Sequence, residues 1–382
     1  MTVPNPYPPA GGSATPTLAD EIAAEIALRG PMPFPDFMAR ALYDPVRGYY
    51  ARETRQVGRG GDFFTSVSVG PIFGTLLAHR FLKWWKQAGE PQPWRLTELG
   101  AHDGTLAADV LGALETLGPL AFSSLEYVTL EPLPSLAAAQ HVTLERFGSR
   151  FRTVASADAL APLPGILFGN ELLDALPCEL IEWKDGRWYE VRVALSDSGF
   201  QWNTSSAWEG SAPETPHPLP EGYRTEIRRN YGSLLAPLLA TLSRGLVLWI
   251  DYGFASPEYY LPERTRGTLR TFSKHQAGDD PLETPGERDI TAHVDFTAVA
   301  GEAIRLGAVP IEFRDQGAWL TRLADDWLRQ QEQQPDPASI RQFQTLVHPA
   351  HLGARFHVLE LAIGEPVEEA ARLRTASRLA LR

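Results

Sequence analysis

The sequence predicts an α/β fold: a Rossmann-like, mostly parallel sheet with helices on both faces, sizeable insertions and an N-terminal helical arm. Three observations predict it. Strand-like and helix-like segments alternate from Trp94 to Glu171; the strands end on acids and glycines; and the chain closes on a strand–helix–strand unit. With 382 residues, 43% apolar and 21% charged, the composition is that of a globular chain long enough for about two domains.

Residues 1–16 are expected to be a flexible tail. The helical arm spans 17–90. Its first helix runs from Leu18 to Leu28, with Ile22 and Ile26 near helical spacing and Asp20 and Glu21 at the start, where the helix dipole favours negative charge. A second short helix around Phe37 to Leu42 stops at Asp44-Pro45, because proline disfavours helical backbone in the residue before it. A glycine-rich loop, GRGGDFFTS over 58–66, precedes a helix from about Pro71 to Gly89.

The core spans 91–254. WRLTELG ending at Gly100, LEYVTLE ending at Glu131, FRTVAS, GILFGNE ending at Glu171 and GLVLWIDYG through Asp251 are its strands; TLAADVLGALETLG and about 135–147 are helices between the first three. A hairpin insertion over 179–195 turns at Lys184-Asp185-Gly186, since Asp-Gly supplies the positive backbone angles a tight turn needs. Residues 203–222 read as loop and Ser233–Arg244 as helix. Within 255–350, residues 255–290 read as a surface loop or lid, VDFTAVAGEAIRLG as helix, GAVPIEFRDQG as strand and Trp319–Val347 as mostly helix. Residues 351–382 supply the last strand and a C-terminal helix, giving the sheet seven strands.

The same sequence excludes several classes. Apolar runs such as GLVLWI fall far short of the ~20 residues needed to cross a bilayer, so no membrane partner is expected. A net charge of -12, with no Lys/Arg run, argues against nucleic acid. One cysteine, Cys178, and scattered histidines exclude a disulfide framework and give no metal site. The N-terminus resembles neither a secretory signal nor an Arg-rich transit peptide, so cytoplasm is the expected compartment if the source is bacterial, ahead of a mitochondrial matrix. The hairpin and the pair Trp84-Trp85 are candidates for a homodimer contact, with packing inside the fold the stronger reading for the indoles.

In a doubly wound sheet, ligands bind beyond the carboxyl ends of the strands, where strand order reverses. The first strand ends in Glu98-Leu99-Gly100, and Ala101-His102-Asp103-Gly104-Thr105 lead into a helix. This is not G-x-G-x-x-G: a dinucleotide's pyrophosphate needs glycine amides at a helix start, whereas His102 and the anionic Asp103 occupy that space. The expected cosubstrate therefore lacks phosphate, and S-adenosyl-L-methionine, cationic at its sulfonium and amino groups, fits. Glu131 suits both ribose hydroxyls, and Asp158 suits the exocyclic amine of adenine. An acid after a strand can instead be only a helix cap, a reading that three acids in the expected order weaken. Asn170, Glu171 and Asp174, beyond the fourth strand, fall where a transferred methyl group would be faced, with capping again the alternative for Glu171.

These motifs resemble the MidA-type family of S-adenosylmethionine-dependent methyltransferases. The resemblance rests on G-D-F-F-T-S at 61–66 before I-F-G at 72–74, T-E-L-G at 97–100, N-E-L-L-D-A-L-P at 170–177, D-Y-G at 251–253 and D-I-T-A-H-V-D-F at 289–296. It implies a class I methyltransferase sheet. It also implies that Gly61, Asp62, Phe63 and Thr65 lie beside the cosubstrate with Glu98, Gly100, His102 and Glu131, and that Asn170, Glu171 and Asp174 line the acceptor pocket. Asp289, Thr291, His293 and Asp295 would close that pocket. The chain departs from the family at Val67-Ser68, where Pro-Glu is usual, and at Gly100–Gly104, where G-P-G-x-G is usual.

The activity implied is methyl transfer to a protein arginine, with Glu171 and Asp174 binding the cation and taking up its proton. A hydroxyl acceptor would instead draw on His102 or His293. The alternatives are a small-molecule acceptor, or an assembly or binding factor that keeps the fold with weak catalysis.

Overall fold

The computed structural model describes residues 16–51, 65–215, 217–273, 276–278 and 280–381. The expected tail, save Pro16, and Gly61, Asp62 and Phe63 lie outside these residues. Among the described residues the central sheet holds β1 (Trp94–Leu99), β2 (Leu125–Leu130), β3 (Phe151–Val154), β4 (Leu163–Asn170), β5 (Leu242–Phe254), β6 (Val309–Asp315) and β7 (Phe356–Ile363). Their order is β6-β7-β5-β4-β1-β2-β3. β1 to β5 are mutually parallel, and β7 runs antiparallel to both β5 and β6. Every carboxyl end from β1 to β5 therefore opens on one rim, with the reversal of order between β1 and β4.

Both faces of the sheet are covered, which is why β1 is buried along its whole length rather than alternating. One face packs against Ile72–Gln87, Thr105–Leu117 and the helices over 316–347; the other packs against Tyr231–Leu239 and Phe296–Arg305. Trp84 and Trp85, 4% and 2% exposed, lie 6.1 and 6.5 Å from the ring of Trp94. The indoles are core side chains, so they offer no dimer contact. The helix at 231 stops at Leu239 rather than Arg244 because Leu242 already pairs with Leu163 in the sheet.

The hairpin turns where expected, with Asp185 and Gly186 at φ 51° and 74°. It belongs to a larger second sheet, in which Glu179–Lys184 and Arg187–Ser196 are joined by Met32–Pro33, Gly199–Ala207 and Tyr223–Ile227. The strand Gly199–Ala207 runs into the stretch expected to be loop. Its Phe200 and Trp202 stand 5.5 Å from Phe37 and 5.2 Å from Phe34, so packing against the arm outweighs the Ser/Pro/Gly composition of the flanking chain. The helices Leu18–Arg29 and Phe34–Tyr43 rest on this sheet.

The 255–290 stretch departs most from expectation. It contributes strands Arg270–Ser273 and Gln276–Gly278 to a small sheet completed by Asp289–Thr291. The buried carboxylate of Glu226 accepts from Thr268 N (2.8 Å), Leu269 N (3.0 Å), Thr268 Oγ1 (3.0 Å) and Tyr259 Oη (3.0 Å). That stretch is anchored by a buried acid and is not a free lid. Among the described residues, no helix is long and apolar enough to cross a membrane.

Candidate active site

The loop after β1 is built from left-handed backbone: Gly100, His102 and Gly104 have φ of 68°, 49° and 86°. A Cβ on Gly100 would stand 3.0 Å from Leu172 Cδ1, so glycine lets this loop abut the turn beyond β4. Beneath it, Glu98 is buried and accepts from Tyr127 Oη at 2.5 Å; burial pushes its carboxyl up to about 8, leaving it neutral at pH 7. Burial also presses on Asp103, but bonds from His102 and Thr105 hold it well below the usual carboxylate range.

Glu131 stands at the end of β2, 6% exposed. Its Oε1 accepts from Leu133 N at 2.9 Å, and its Oε2 lies 3.4 Å from Gln140 Nε2. Gln140 also donates to the His102 carbonyl at 2.9 Å, tying the helix beyond β2 to the loop after β1. Glu131 is thus a cap as well as a candidate ribose acceptor. Asp158 is exposed beyond β3, where Ser156 Oγ lies 3.2 Å from its carboxylate. Thr65 closes a turn with Ser68: Ser68 N donates to Thr65 Oγ1 at 3.1 Å and Thr65 N to Ser68 Oγ at 2.9 Å. One of the two family departures, Ser68, is therefore a turn-forming hydroxyl.

These residues fit S-adenosylmethionine. The loop keeps an anion, Asp103, within it, and no Lys or Arg occurs between Arg95 and Arg146 to meet a phosphate. If Glu131 holds ribose, Glu131→Ala raises the dissociation constant of S-adenosylhomocysteine by ~1.5–3 kcal/mol, about 10- to 150-fold, in calorimetric titration. Unchanged affinity would leave it a cap alone.

The turn beyond β4 holds the residues expected to face the acceptor, Asn170, Glu171 and Asp174. Glu171 adopts φ 53°, a conformation non-glycine residues rarely take and one that recurs at functional sites. The turn is held from below by Asp251 on β5, whose Oδ2 accepts from Leu172 N (3.0 Å), Leu173 N (2.7 Å) and Asp174 N (3.3 Å). Burial and the Glu171 charge push Asp251 up to about 7. Glu171 itself is pushed up to about 8 by burial and by Asp174, against bonds from Asn170 Nδ2 (3.1 Å) and the Ser66 amide. Burial, then Asp251 and Asp289, raise Asp174 well above its usual range, with Arg228 pulling the other way. Asn170 Oδ1 is buried with no partner. Left so it would cost ~1–3 kcal/mol, which a donor on a bound ligand would relieve.

The 289–296 segment backs this turn. Asp289 accepts from Tyr50 Oη at 3.0 Å, and Ala292 N donates to the Asp174 carbonyl at 3.0 Å. Val294–Asp295 pairs with Gly253–Phe254, so closely that a Cβ on Gly253 would stand 2.1 Å from the Val294 carbonyl oxygen. Burial drives His293 down to about 4, so it is neutral. Asp295 caps the helix at Phe296 through Thr297 N (3.0 Å) and Ala298 N (3.2 Å), so its carboxylate closes a helix end rather than the pocket. Thr291 is half-buried on the strand Asp289–Thr291.

The structure thus brings Asn170, Glu171 and Asp174 together with Asp289, expected to close the pocket, and with one carboxylate given no site role from the sequence, Asp251. Arg228 and Gln140 also escaped notice. Asp251 was visible as the acid of D-Y-G. Arg228 and Gln140 act mainly on main-chain carbonyls, which no side-chain pattern reveals.

The family model described as "Putative S-adenosyl-L-methionine-dependent methyltransferase" matches residues 76–313. A fly relative, the mitochondrial protein arginine methyltransferase NDUFAF7 homolog of Drosophila melanogaster, is 33% identical over 387 residues, covering 91% of this chain and 85% of its own. The human mitochondrial protein arginine methyltransferase NDUFAF7 is 26% identical over 388 residues, covering 92% and 85%. A COG1565 superfamily member from Burkholderia thailandensis, crystallised with S-adenosyl-homocysteine, superposes with a TM-score of 0.80 at 31% identity, covering 92% of this chain and 94% of that one. The sheet order, the phosphate-averse loop and these matches converge: the chain belongs to the MidA-type family of S-adenosylmethionine-dependent methyltransferases.

Proposed function

We propose that the methyl acceptor is the guanidinium of a protein arginine. One observation carries this reading: Glu171 and Asp174 beyond β4, Asp251 on β5 and Asp289 on the small sheet act on one another, while Arg228 beside them spends its hydrogen bonds on main-chain carbonyls. Such a site favours a cationic ligand. Relatives named as protein arginine methyltransferases support the same class of acceptor.

S-adenosylmethionine, when bound, supplies a methyl group already activated by its sulfonium. Glu98, Gly100, His102, Glu131 and Asp158, with Thr65, would hold it against the rim of β1, β2 and β3. Asn170 Oδ1 accepts an N–H of the guanidinium, and the Asn170 and Ser66 donors orient the Glu171 carboxylate, which takes the proton the nitrogen loses. Asp174 adds negative charge that holds the cation. The buried single thiol, Cys178, accords with a reducing compartment, and we place the chain in the cytoplasm if its source is bacterial.

Labelled-methyl transfer into cell extract, followed by total acid hydrolysis, tests the acceptor. Label co-migrating with methylarginine is expected. Label in a small molecule or on another amino acid overturns the arginine assignment, and no transfer at all favours a binding factor.

A further inference from the structure

We infer that Arg228 is the positioning residue of the acceptor site, a buried guanidinium that clamps the catalytic turn to the 289–296 segment and supplies the fixed positive charge beneath the carboxylates. It lies just past the strand Tyr223–Ile227 of the second sheet, 8% exposed. Nε donates to the Leu176 carbonyl at 3.0 Å and Nη1 to that of His293 at 2.8 Å. Nη2 donates to the carbonyls of Asp174 at 2.7 Å and Ala292 at 2.8 Å. One planar fork therefore spans two segments more than a hundred residues apart, a task for which a guanidinium is suited and an ammonium is not.

The choice of partners matters. Carbonyl dipoles satisfy the N–H groups without neutralising the charge, so the cation is still felt by Asp174. Burying a charge costs several kcal/mol. The clamp alone does not demand it, because the Ala292–Asp174 bond and the Gly253–Val294 pairing already join these segments. The groups around the guanidinium are Asp174, Cys178, Tyr231 and Tyr259; Glu171, Asp251 and Asp289 act on Asp174 or on one another, and the neutral His293 is held through its carbonyl. Arg228 is the cation acting on Asp174, so removing it makes that carboxylate, and through it the cluster it belongs to, harder to ionise.

The inference rests on the acceptor-side placement of Glu171 and Asp174, and its test reads the two separately. Arg228→Gln and Arg228→Lys are compared with the parent for kcat/KM against pH, using the acceptor found in the extract assay, and for S-adenosylhomocysteine affinity and thermal protection. In Arg228→Gln the rising limb of the profile moves to higher pH by about one unit or more. Cosubstrate affinity stays within about threefold, because no bond of Arg228 reaches the β1 loop. Arg228→Lys keeps the limb at its parental pH but lowers kcat/KM about tenfold, since three donors on a flexible stem cannot meet four carbonyls. A limb that does not move in Arg228→Gln, with a uniformly lower rate, overturns the electrostatic role. Parental kcat/KM in Arg228→Lys overturns the clamp, and this variant alone decides if Arg228→Gln does not fold. A non-arginine acceptor leaves these outcomes intact, whereas failure of the acceptor-side placement appears only in Glu171→Gln.

Discussion

Glu171→Gln is expected to lower turnover by ~10²-fold or more while leaving S-adenosylhomocysteine affinity within about threefold. The amide is nearly the shape of the protonated acid, so the turn at φ 53° and the Asn170 contact need not change. What it lacks is the anion. With its carboxyl pushed up to about 8, Glu171 is mostly protonated at pH 7 in the free enzyme. The wild-type kcat/KM should therefore rise with pH toward 8, as the fraction able to accept a proton grows. Arrival of a cationic acceptor works against that raised value by favouring the carboxylate, so binding at pH 7 should release protons, measurable by calorimetry in buffers of different ionisation enthalpy. The Gln variant should show a flat profile. Turnover near the parental level, or weakened cosubstrate binding with turnover spared, would reduce Glu171 to a structural cap.

The parts legible in the sequence share a physical origin. A strand buried on both faces leaves an apolar run ending in polar residues, which is why β4 and β5 could be placed from Gly165 and Gly245 onward; β1 and β2, with Arg95, Thr97, Glu126 and Thr129 inside them, were placed by the helices that alternate with them and by the residues at their ends. The loop after β1 was legible because Gly100 and Gly104 serve local backbone needs. Gly199–Ala207 was not, because its apolar residues gain their meaning only from Phe34 and Phe37 on a distant helix. Residues 255–290 looked free because the carboxylate that pins them, Glu226, precedes them on a strand of another sheet. The proposed acceptor site was half legible: Asn170, Glu171 and Asp174 share one motif, whereas Asp251, Asp289 and Arg228 reach it through tertiary contacts.

Asp251 provides the second large effect, because one carboxylate oxygen satisfies three successive amides of the turn beyond β4. Its other oxygen accepts from Tyr252 N at 2.8 Å. Asp251→Ala removes these acceptors in a place where Asp251 is 1% exposed and water has little access. Each stranded donor costs ~1–3 kcal/mol, but the turn can relax and the losses do not add in full. We expect ~3–5 kcal/mol of lost stability, with turnover falling at least as far as in Glu171→Gln because Glu171 loses its fixed φ. Loss of a negative charge from the cluster acts in the opposite direction and is isolated by Asp251→Asn. That variant keeps one oxygen for the turn amides but no charge, so it should retain most of the stability. It should also move the rising limb of the pH profile to lower pH, since Glu171 then ionises without a charged neighbour on β5. Thermal unfolding and kcat/KM against pH separate the two effects. If Asp251→Ala matches the parent in both, the amides of residues 172–174 do not depend on this carboxylate, and β5 does not shape the site.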